Sequence, residues 1–544
     1  MTKIRLTGWL SVAAAAVVAG CTPGLDVTNP NAPDARRALA DPAALEAVAG
    51  GTLRTWFTGY DGMYAVGPLT TIADSYSSSW NNYNMLYINS QDPDGQRLTR
   101  PWKNDPSANE RKQPEWYWNN YYSAISSASD VLKAIRTDGV KFAKDADTKR
   151  SETIAQFVLG MATSGIAINY DKGYIINETT DVLKLAYSDR KKMREAALAQ
   201  LDAAIALASA NSFTTPAVWT NGNSYSNVQI AQIANTMAAM TIAYWPRNDA
   251  ENAAADWARV AGYAAKGMSS GTPFDFVFVG DGCTAWCHEV LVWFNSIDTG
   301  VIHTRVAHLI DPLQKDPYPV GGNPQPVYAP GKDKRLGDGT FGDASLVDGF
   351  GTVPVTATST PGTDFSYSNY EIFAANRGQY HQSNIGHIRY DLSGSQDPTG
   401  IYGGYGPAPV VTAGQNDILW AEGLIRANGD LSKAATLINN TRVKRGGLTA
   451  SKASDGAAGL LVTLQGEQDI ELLGLGASTF YNRRRLTGTT CGAPGVLVPG
   501  NTLYCGLRNG SPGEFPVPAK ELGVRGEALY TFGGTGLRNS PTPP

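Results

Sequence analysis

Apolar residues recur at three- and four-residue spacing over long stretches of this chain, which is the period of a helix with one buried face. Over 116–135 the series is Trp118, Tyr121, Tyr122, Ile125, Ala128, Val131, Leu132 and Ile135. Over 189–207 it is Met193, Ala196, Ala197, Leu201, Ala204 and Ile205, continued by Ala208. The stretch 152–169 is rich in small apolar residues. The stretches 228–244 and 250–268 predict an antiparallel pair joined through Trp245-Pro246-Arg247-Asn248-Asp249. Near the start, Asp41-Pro42 predicts a helix opening, with Asp as the cap and Pro in the first turn. Its apolar face is Ala44, Leu45, Val48, Leu53, Trp56 and Phe57. A further hairpin is predicted over 415–445. Ile418, Ala421, Leu424 and Ile425 line its first helix, Asn428-Gly429-Asp430 makes the turn, and Leu431, Ala434, Ala435, Ile438 and Val443 line its second. Such pairs have the grammar of a tetratricopeptide-like repeat, although no strict 34-residue period runs through the sequence.

Between residues 269 and 413 the helical period fades. Gly, Pro, Asp, Asn and aromatic residues crowd this stretch, which predicts loops, short strands and small helices. The expected fold class is therefore mainly α: a tetratricopeptide-like helical-pair scaffold with a large loop-rich insertion containing short strands. The expected divisions are 1–20, 21–40, 41–268, 269–413 and 414–544. The middle division is the loop-rich part, and helical regions flank it.

Composition narrows the function. Charged residues make up only 17% of the 544, against about 25% in a typical protein, and the formal net charge is -4. That balance excludes a nucleic-acid binder working through a basic surface. The chain is instead rich in Gly (58), Pro (31), Tyr (25) and Trp (12), a composition suited to neutral polar ligands.

Lys3 and Arg5 precede a short apolar run, Leu6 to Ala19, which ends in Val18-Ala19-Gly20-Cys21. The run is too short for a permanent membrane span and reads as a signal peptide. Small residues directly before a Cys resemble a bacterial lipoprotein processing site. The resemblance implies that residues 1–20 are removed and that Cys21 becomes the lipidated N-terminus. Residues 21–40 would then be the anchor and tether. Thr22 stands where an inner-membrane retention signal has Asp, so the outer membrane is the expected location. Four cysteines remain. Local pairing gives the disulfides Cys283–Cys287 and Cys491–Cys505. A metal site built from Cys283, Cys287 and His288 is the competing reading, although no recognised zinc spacing is present. No cofactor and no metal is expected.

Several separated segments resemble the SusD/RagB family of outer-membrane nutrient-binding lipoproteins, and they occur in that family's order. Cys21 is followed by Leu25-Asp26-Val27 and the helix at Asp41. Trp118 to Ile125 resembles the family's W-x-x-x-Y-x-x-I segment. Asp417-Ile418-Leu419-Trp420-Ala421-Glu422-Gly423, continuing through Gly429-Asp430 to Ile438-Asn439-Asn440-Thr441-Arg442, resembles its helical hairpin. Glu467-Gln468-Asp469-Ile470-Glu471-Leu472 with Arg484-Arg485-Leu486 resembles its E-R-x-x-E-L … R-R stretch. Phe515-Pro516-Val517-Pro518 and Glu521 resemble its closing P-x-P-x-x-E. Gln468 departs from the usual Arg, and Gly474-Leu475-Gly476-Ala477-Ser478 departs from the usual Gly-Glu-Gly-x-Arg turn. Both departures bear on local salt bridges. The resemblance implies a non-enzymatic, surface-exposed binding protein. It also implies a SusC-like TonB-dependent β-barrel transporter as partner, to which oligosaccharide or peptide is delivered.

Aromatics concentrate between residues 56 and 122, and within that span Asp74-Ser75-Tyr76-Ser77-Ser78-Ser79-Trp80-Asn81-Asn82-Tyr83-Asn84 is both aromatic and polar. A sugar presents an apolar C–H face ringed by hydroxyls, so flat rings cover the face while amides and carboxylates bond the rim. Trp80, Asn81, Asn82 and Tyr83 are the expected ligand contacts, with Asp74 in support and Trp286 as a second contributor from the insertion. Trp293 and Tyr318 are weaker choices, and Tyr380-His381 and Tyr402 to Tyr405 equally suit a face toward the transporter. Aromatics packed under a long loop are the structural alternative. The other functional classes are a secreted glycoside hydrolase with a carboxylate pair and a helical-repeat adaptor for another envelope protein. No nucleophile elbow, HExxH or phosphate loop is present, and Asp61-Gly62 and Asp281-Gly282 read as turns.

Overall fold

The computed structural model describes residues 39–78, 82–85, 88, 101–271, 273–295, 300–311, 333–336, 362–367, 383, 385–390, 404–486, 506–507 and 511–531. The expected signal peptide (1–20), Cys21, Trp80, Asn81, Tyr318, Tyr380, His381, Tyr402, Cys491 and Cys505 lie outside them, as does the side chain of Asn82.

Helix α1 (Pro42–Tyr60) starts where the sequence places it, because Asp41 Oδ1 accepts from the N–H groups of Ala43 (2.8 Å) and Ala44 (3.3 Å). Its buried face is Leu45, Ala49, Leu53, Trp56 and Phe57. The chain breaks at Asp61-Gly62 and a short second helix follows, α2 (Met63–Ile72). Two long helices, α3 (Lys112–Arg136) and α4 (Asp145–Asn169), then pack against α1 and against each other. Gly165 permits the close approach of α3, and Gly160 that of the helix that carries Leu201. A Cβ on Gly160 would stand 2.8 Å from Leu201, and one on Gly165 would stand 2.3 Å from the Tyr121 ring. The bundle continues with α5 (Arg190–Ala210) and α6 (Asn227–Tyr244), the latter opened by a capping box between Ser226 and Gln229. Successive helices pack on their neighbours in the manner of helical pairs.

The predicted helix over 250–268 is interrupted. Asn248 caps α7 (Asp249–Ala253) and Asp256 caps α8 (Trp257–Ala264) by accepting from Arg259 N–H. The side chain of Asp256 therefore starts a new helix and sends it in a new direction. The C-terminal hairpin is α11 (Ala413–Arg426) and α12 (Leu431–Arg442). It is followed by α13 (Gly456–Glu471), α14 (Ser478–Arg484) and α15 (Ala519–Arg525).

Short antiparallel strands occupy the insertion. Strand β4 (Phe276–Asp281) pairs with β8 (Tyr405–Val411), so the two ends of the 269–413 excursion are joined. Between them lie α9 (Glu289–Phe294), α10 (Thr304–Ile310), and β6 (Phe365–Tyr367) paired with β7 (Ile385–His387). Strand β5 (Val301–Ile302) pairs with β1 (Tyr76–Ser77), which fastens the insertion to the segment after α2. The strands β2 (Lys172–Gly173) and β3 (Ser188–Asp189) form a small ribbon between α4 and α5. No helix among the described residues is long and apolar enough to cross a membrane.

A buried charge network locks the insertion to the C-terminal helices. Glu467 and Glu471 lie one turn apart at the C-terminal end of α13, both fully buried. Arg335 bonds Glu467 (2.8 Å) and reaches Glu471 (3.3 Å). Arg389 bonds Glu471 Oε1 (3.0 Å) and its backbone carbonyl (2.7 Å), and Arg445 bonds Glu471 Oε2 (3.0 Å). Asp469 takes a two-point contact from Arg305 at 2.7 and 2.9 Å. The unusual Gln468 does not leave a gap: its amide donates to Glu422 (2.7 Å), which Arg485 also grips at 2.5 and 2.7 Å. Burial raises the Glu422 carboxyl, but Arg485 and Arg426 outweigh it and hold the group at about 2.

His387 is buried with Nδ1 against the Tyr76 hydroxyl (2.9 Å), and burial pushes its imidazole down to about 3. The folded protein therefore refuses a proton that the unfolded chain accepts near pH 6.5, so this residue costs stability increasingly as pH falls from 6.5 toward 3. Comparison of wild type with His387→Gln by urea unfolding should show a wild-type deficit growing by about 1.4 kcal/mol per pH unit in that window. A pH-independent difference would contradict a neutral, buried His387.

Candidate functional site

The break at Asp61-Gly62 organises a group of half-buried aromatic rings. A Cβ on Gly62 would fall 1.7 Å from Trp116 Nε1, so the indole lies directly against the glycine. Trp116 Nε1–H also donates to Thr58 O (3.2 Å). Tyr64, in the first turn of α2, meets Trp116 at a centroid separation of 5.3 Å, tilted by 31°. Tyr83 meets Tyr64 edge-on (4.8 Å, 78°), and Trp293 of α9 meets Tyr83 edge-on (5.7 Å, 70°). Trp116, Tyr64, Tyr83 and Trp293 thus form a continuous arc, and all four are partly exposed. Lys112 stands at one end, with Nζ 5.1 Å from the Tyr64 centroid.

Polar groups flank the arc. Tyr83 adopts φ 52° inside the short 3-10 turn Asn82–Asn84, a left-handed conformation uncommon for a bulky residue and therefore one that needs outside support. Its carbonyl accepts from Gln113 Nε2 (2.7 Å) and its hydroxyl donates to Glu289 Oε1 (3.1 Å). Burial raises the Glu289 carboxyl above the ordinary carboxylate range, and the hydrogen bonds from Met63 N–H and Tyr83 act the other way. Burial likewise raises Asp61, opposed by His288. Burial, reinforced by Glu289, also pushes the Tyr83 hydroxyl upward.

The expected ligand contacts separate in space. Tyr83 belongs to the arc. Asp74 does not: it is 1% exposed, and its carboxylate faces His303 (3.6 Å) and Arg483 (3.7 Å) inside the fold. Its expected place beside a sugar is corrected to a place among buried charges. Trp286 is also turned inward, packed against Phe278 (5.6 Å) and Phe57 (6.1 Å). Trp293, the weaker choice, is the tryptophan of the insertion that reaches the arc. Tyr64, Trp116 and Glu289 were not singled out by the sequence. The first two lie within the aromatic-dense 56–122 segment, while nothing in the linear pattern marks Glu289.

Cys283 and Cys287 are joined in a disulfide. This removes both thiolates from the alternative metal site, and His288 bonds Phe278 O (2.8 Å) and faces Asp61 (3.4 Å) instead. Among the described residues no group of three His, Cys, Asp or Glu side chains could hold a metal ion. The disulfide loop is ordered from within: Asp281 Oδ1 accepts from the N–H groups of Thr284 (2.9 Å), Ala285 (3.0 Å) and Trp286 (3.0 Å). Arg54 of α1 caps it from outside through Ala285 O (3.0 Å). A separate cavity of about 40 Å³ lies between the helices, lined mainly by apolar groups of Trp56, Tyr121, Met161, Met240, Tyr244 and Tyr481.

Helical pairs carrying a strand-bearing insertion, with aromatic rings where the two meet, define a scaffold of the SusD-like fold. Solved structures share it. A SusD superfamily protein from Bacteroides vulgatus aligns over 89% of this chain and 97% of its own, with 14% identity and a TM-score of 0.53. A SusD-like carbohydrate-binding protein from Bacteroides fragilis aligns over 82% and 86%, with 12% identity and a TM-score of 0.53. Surface glycan-binding protein A from Bacteroides uniformis aligns over 90% and 98%, with 14% identity and a TM-score of 0.52. The likeness is one of fold. No protein-family model and no curated protein matches the sequence.

Because the Trp116 ring fills the position of a Gly62 Cβ, Gly62→Ala should displace the ring. The expected result is an altered near-UV circular dichroism spectrum with a stability loss of about 1–3 kcal/mol. An unchanged spectrum would show that Trp116 does not rest on Gly62.

Proposed function

We propose that this protein is a lipid-anchored glycan-binding protein of the outer cell surface. It captures oligosaccharides and passes them to a SusC-like TonB-dependent β-barrel transporter, without chemistry of its own. The observation that carries the reading is the arc of Trp116, Tyr64, Tyr83 and Trp293, whose partly exposed rings offer apolar surface for sugar faces, with the exposed Lys112 at one end to meet a hydroxyl. The fold shared with carbohydrate- and glycan-binding proteins supports it. The lipobox-like Val18-Ala19-Gly20-Cys21 supports surface anchoring through Cys21, and the resemblance of the motifs to SusD/RagB proteins supports the transporter partner. Two carboxyls beside the arc are committed within the fold, which supports binding in preference to hydrolysis: Glu289 is engaged by Tyr83 and Met63, and Asp61 faces His288. A handover protein works with millimolar to micromolar affinity, about −4 to −8 kcal/mol.

Calorimetric titration of protein beginning at Thr22 with malto-, cello-, xylo- and mannohexaose should identify a ligand. Trp293→Ala and Tyr64→Ala should each weaken its binding about tenfold, a loss of about 1.4 kcal/mol, without lowering the melting temperature appreciably. Binding of peptides but of no glycan would overturn the sugar assignment. Sustained release of smaller sugars would establish a hydrolase.

A further inference from the structure

Glu289 is the first residue of α9 and follows directly on the disulfide loop and His288. Its two carboxyl oxygens serve different elements. Oε2 accepts from Met63 N–H (2.8 Å), the first residue of α2, and Oε1 accepts from the Tyr83 hydroxyl (3.1 Å). Helix α2 begins after Gly62, which has no side chain to cap it. Glu289 therefore supplies, from 226 residues away, an acceptor for one of the N–H groups that a helix start leaves without an intrahelical partner. The next residue of that helix turn is Tyr64. One carboxyl thus fixes the backbone beneath one ring of the arc and the hydroxyl of the next.

Tyr83 sits at positive φ, and its carbonyl accepts from Gln113, which holds the backbone and not the ring. The ring is held by edge-on contacts with Tyr64 and Trp293, by a bond from Trp293 to its hydroxyl, and by Glu289. The neighbouring His288 faces Asp61 on the far side of Gly62. Residues 288 and 289 consequently grip both sides of the elbow against which Trp116 lies.

We propose that Glu289 is a positioning residue that sets the affinity of the aromatic arc by fixing Tyr83 and the start of α2, without touching the ligand. The proposal rests on the arc being the ligand site. It identifies a device beneath that site which no contact with sugar would reveal.

The test is a double-mutant cycle on the full chain from Thr22, comprising Glu289→Ala, Tyr83→Phe and the two together, with Glu289→Gln as the conservative variant. The probe is whichever of the four hexaoses binds wild type, and the ligand-free readout is the NMR signal of the 13C-labelled Tyr83 ring. Glu289→Ala should weaken binding about tenfold, as expected for losing an interaction near 1.4 kcal/mol, and should shift the Tyr83 signal. Glu289→Gln can still accept from Met63 N–H and donate to the tyrosine oxygen, so it should stay within about twofold of wild type. In the Tyr83→Phe background the Glu289→Ala effect should shrink, because the coupling passes through the hydroxyl. Unchanged affinity in Glu289→Ala, in a protein whose binding Tyr83→Ala abolishes, would overturn the proposal and leave the arc standing. If no hexaose binds, or Tyr83→Ala is harmless, the arc reading fails instead. The Tyr83 signal then decides the positioning role: an unshifted signal in Glu289→Ala overturns it and a shifted one supports it. Should Glu289→Ala not fold, Tyr83→Phe removes the same hydrogen bond from the other side: binding weakened several-fold supports the proposal, and binding within about twofold of wild type, where Tyr83→Ala abolishes it, overturns it.

Discussion

Two carboxylates one helical turn apart at the end of α13 cannot remain buried unless cations reach them. Glu467 and Glu471 are both 1% exposed, and a buried ion left without its partner costs about 3–5 kcal/mol. The cations that answer come from separate parts of the chain: Arg335 and Arg389 from the insertion, and Arg445 from beyond the hairpin. Their position at a helix C-terminus also suits positive charge. The network does not make the protein exceptionally stable, since the desolvation of such groups offsets much of their attraction. It ties Arg335 and Arg389 of the insertion to the scaffold helix α13 through paired charges.

The fastening runs from that hub toward the aromatic arc. Arg305 bonds Asp469 and also donates to Asp74 O (3.2 Å), at the start of the segment that leads to Tyr83. Beside it β1 pairs with β5, and the Tyr76 hydroxyl meets His387 next to Arg389. The arc thus lies on a seam. Three of its rings come from the N-terminal helices and the segment between them, and the fourth, Trp293, comes from the insertion, together with the carboxyl that holds Tyr83. A site assembled from both parts can vary with the insertion while the helical scaffold stays the same.

Local rules carried much of the fold. The spacing of Trp118, Tyr121, Ile125 and Leu132 marks α3, Asp41-Pro42 marks the start of α1, and Asn428-Gly429-Asp430 marks the hairpin turn, because each depends on residues within a few positions. The break at Asp256 was missed, since a strong apolar period masked a capping residue. The site was legible only in part. A dense run of aromatics points to a region, but whether a ring faces outward depends on distant partners. Trp286 turns inward because Phe57 and Phe278 receive it, and Asp74 does so because His303 and Arg483 lie behind it. Glu289 has no local signature at all: its partners are 206 and 226 residues away. Glu467, Glu471 and Arg485 stood out as a motif, yet their common role as a buried hub follows only from tertiary structure.

The most direct measurement is a crystal structure with a bound hexaose. The account predicts a pyranose ring lying against at least two of Trp116, Tyr64, Tyr83 and Trp293, with Glu289 still on Tyr83 and Met63. A sugar bound elsewhere on the protein, with the arc untouched, would contradict it.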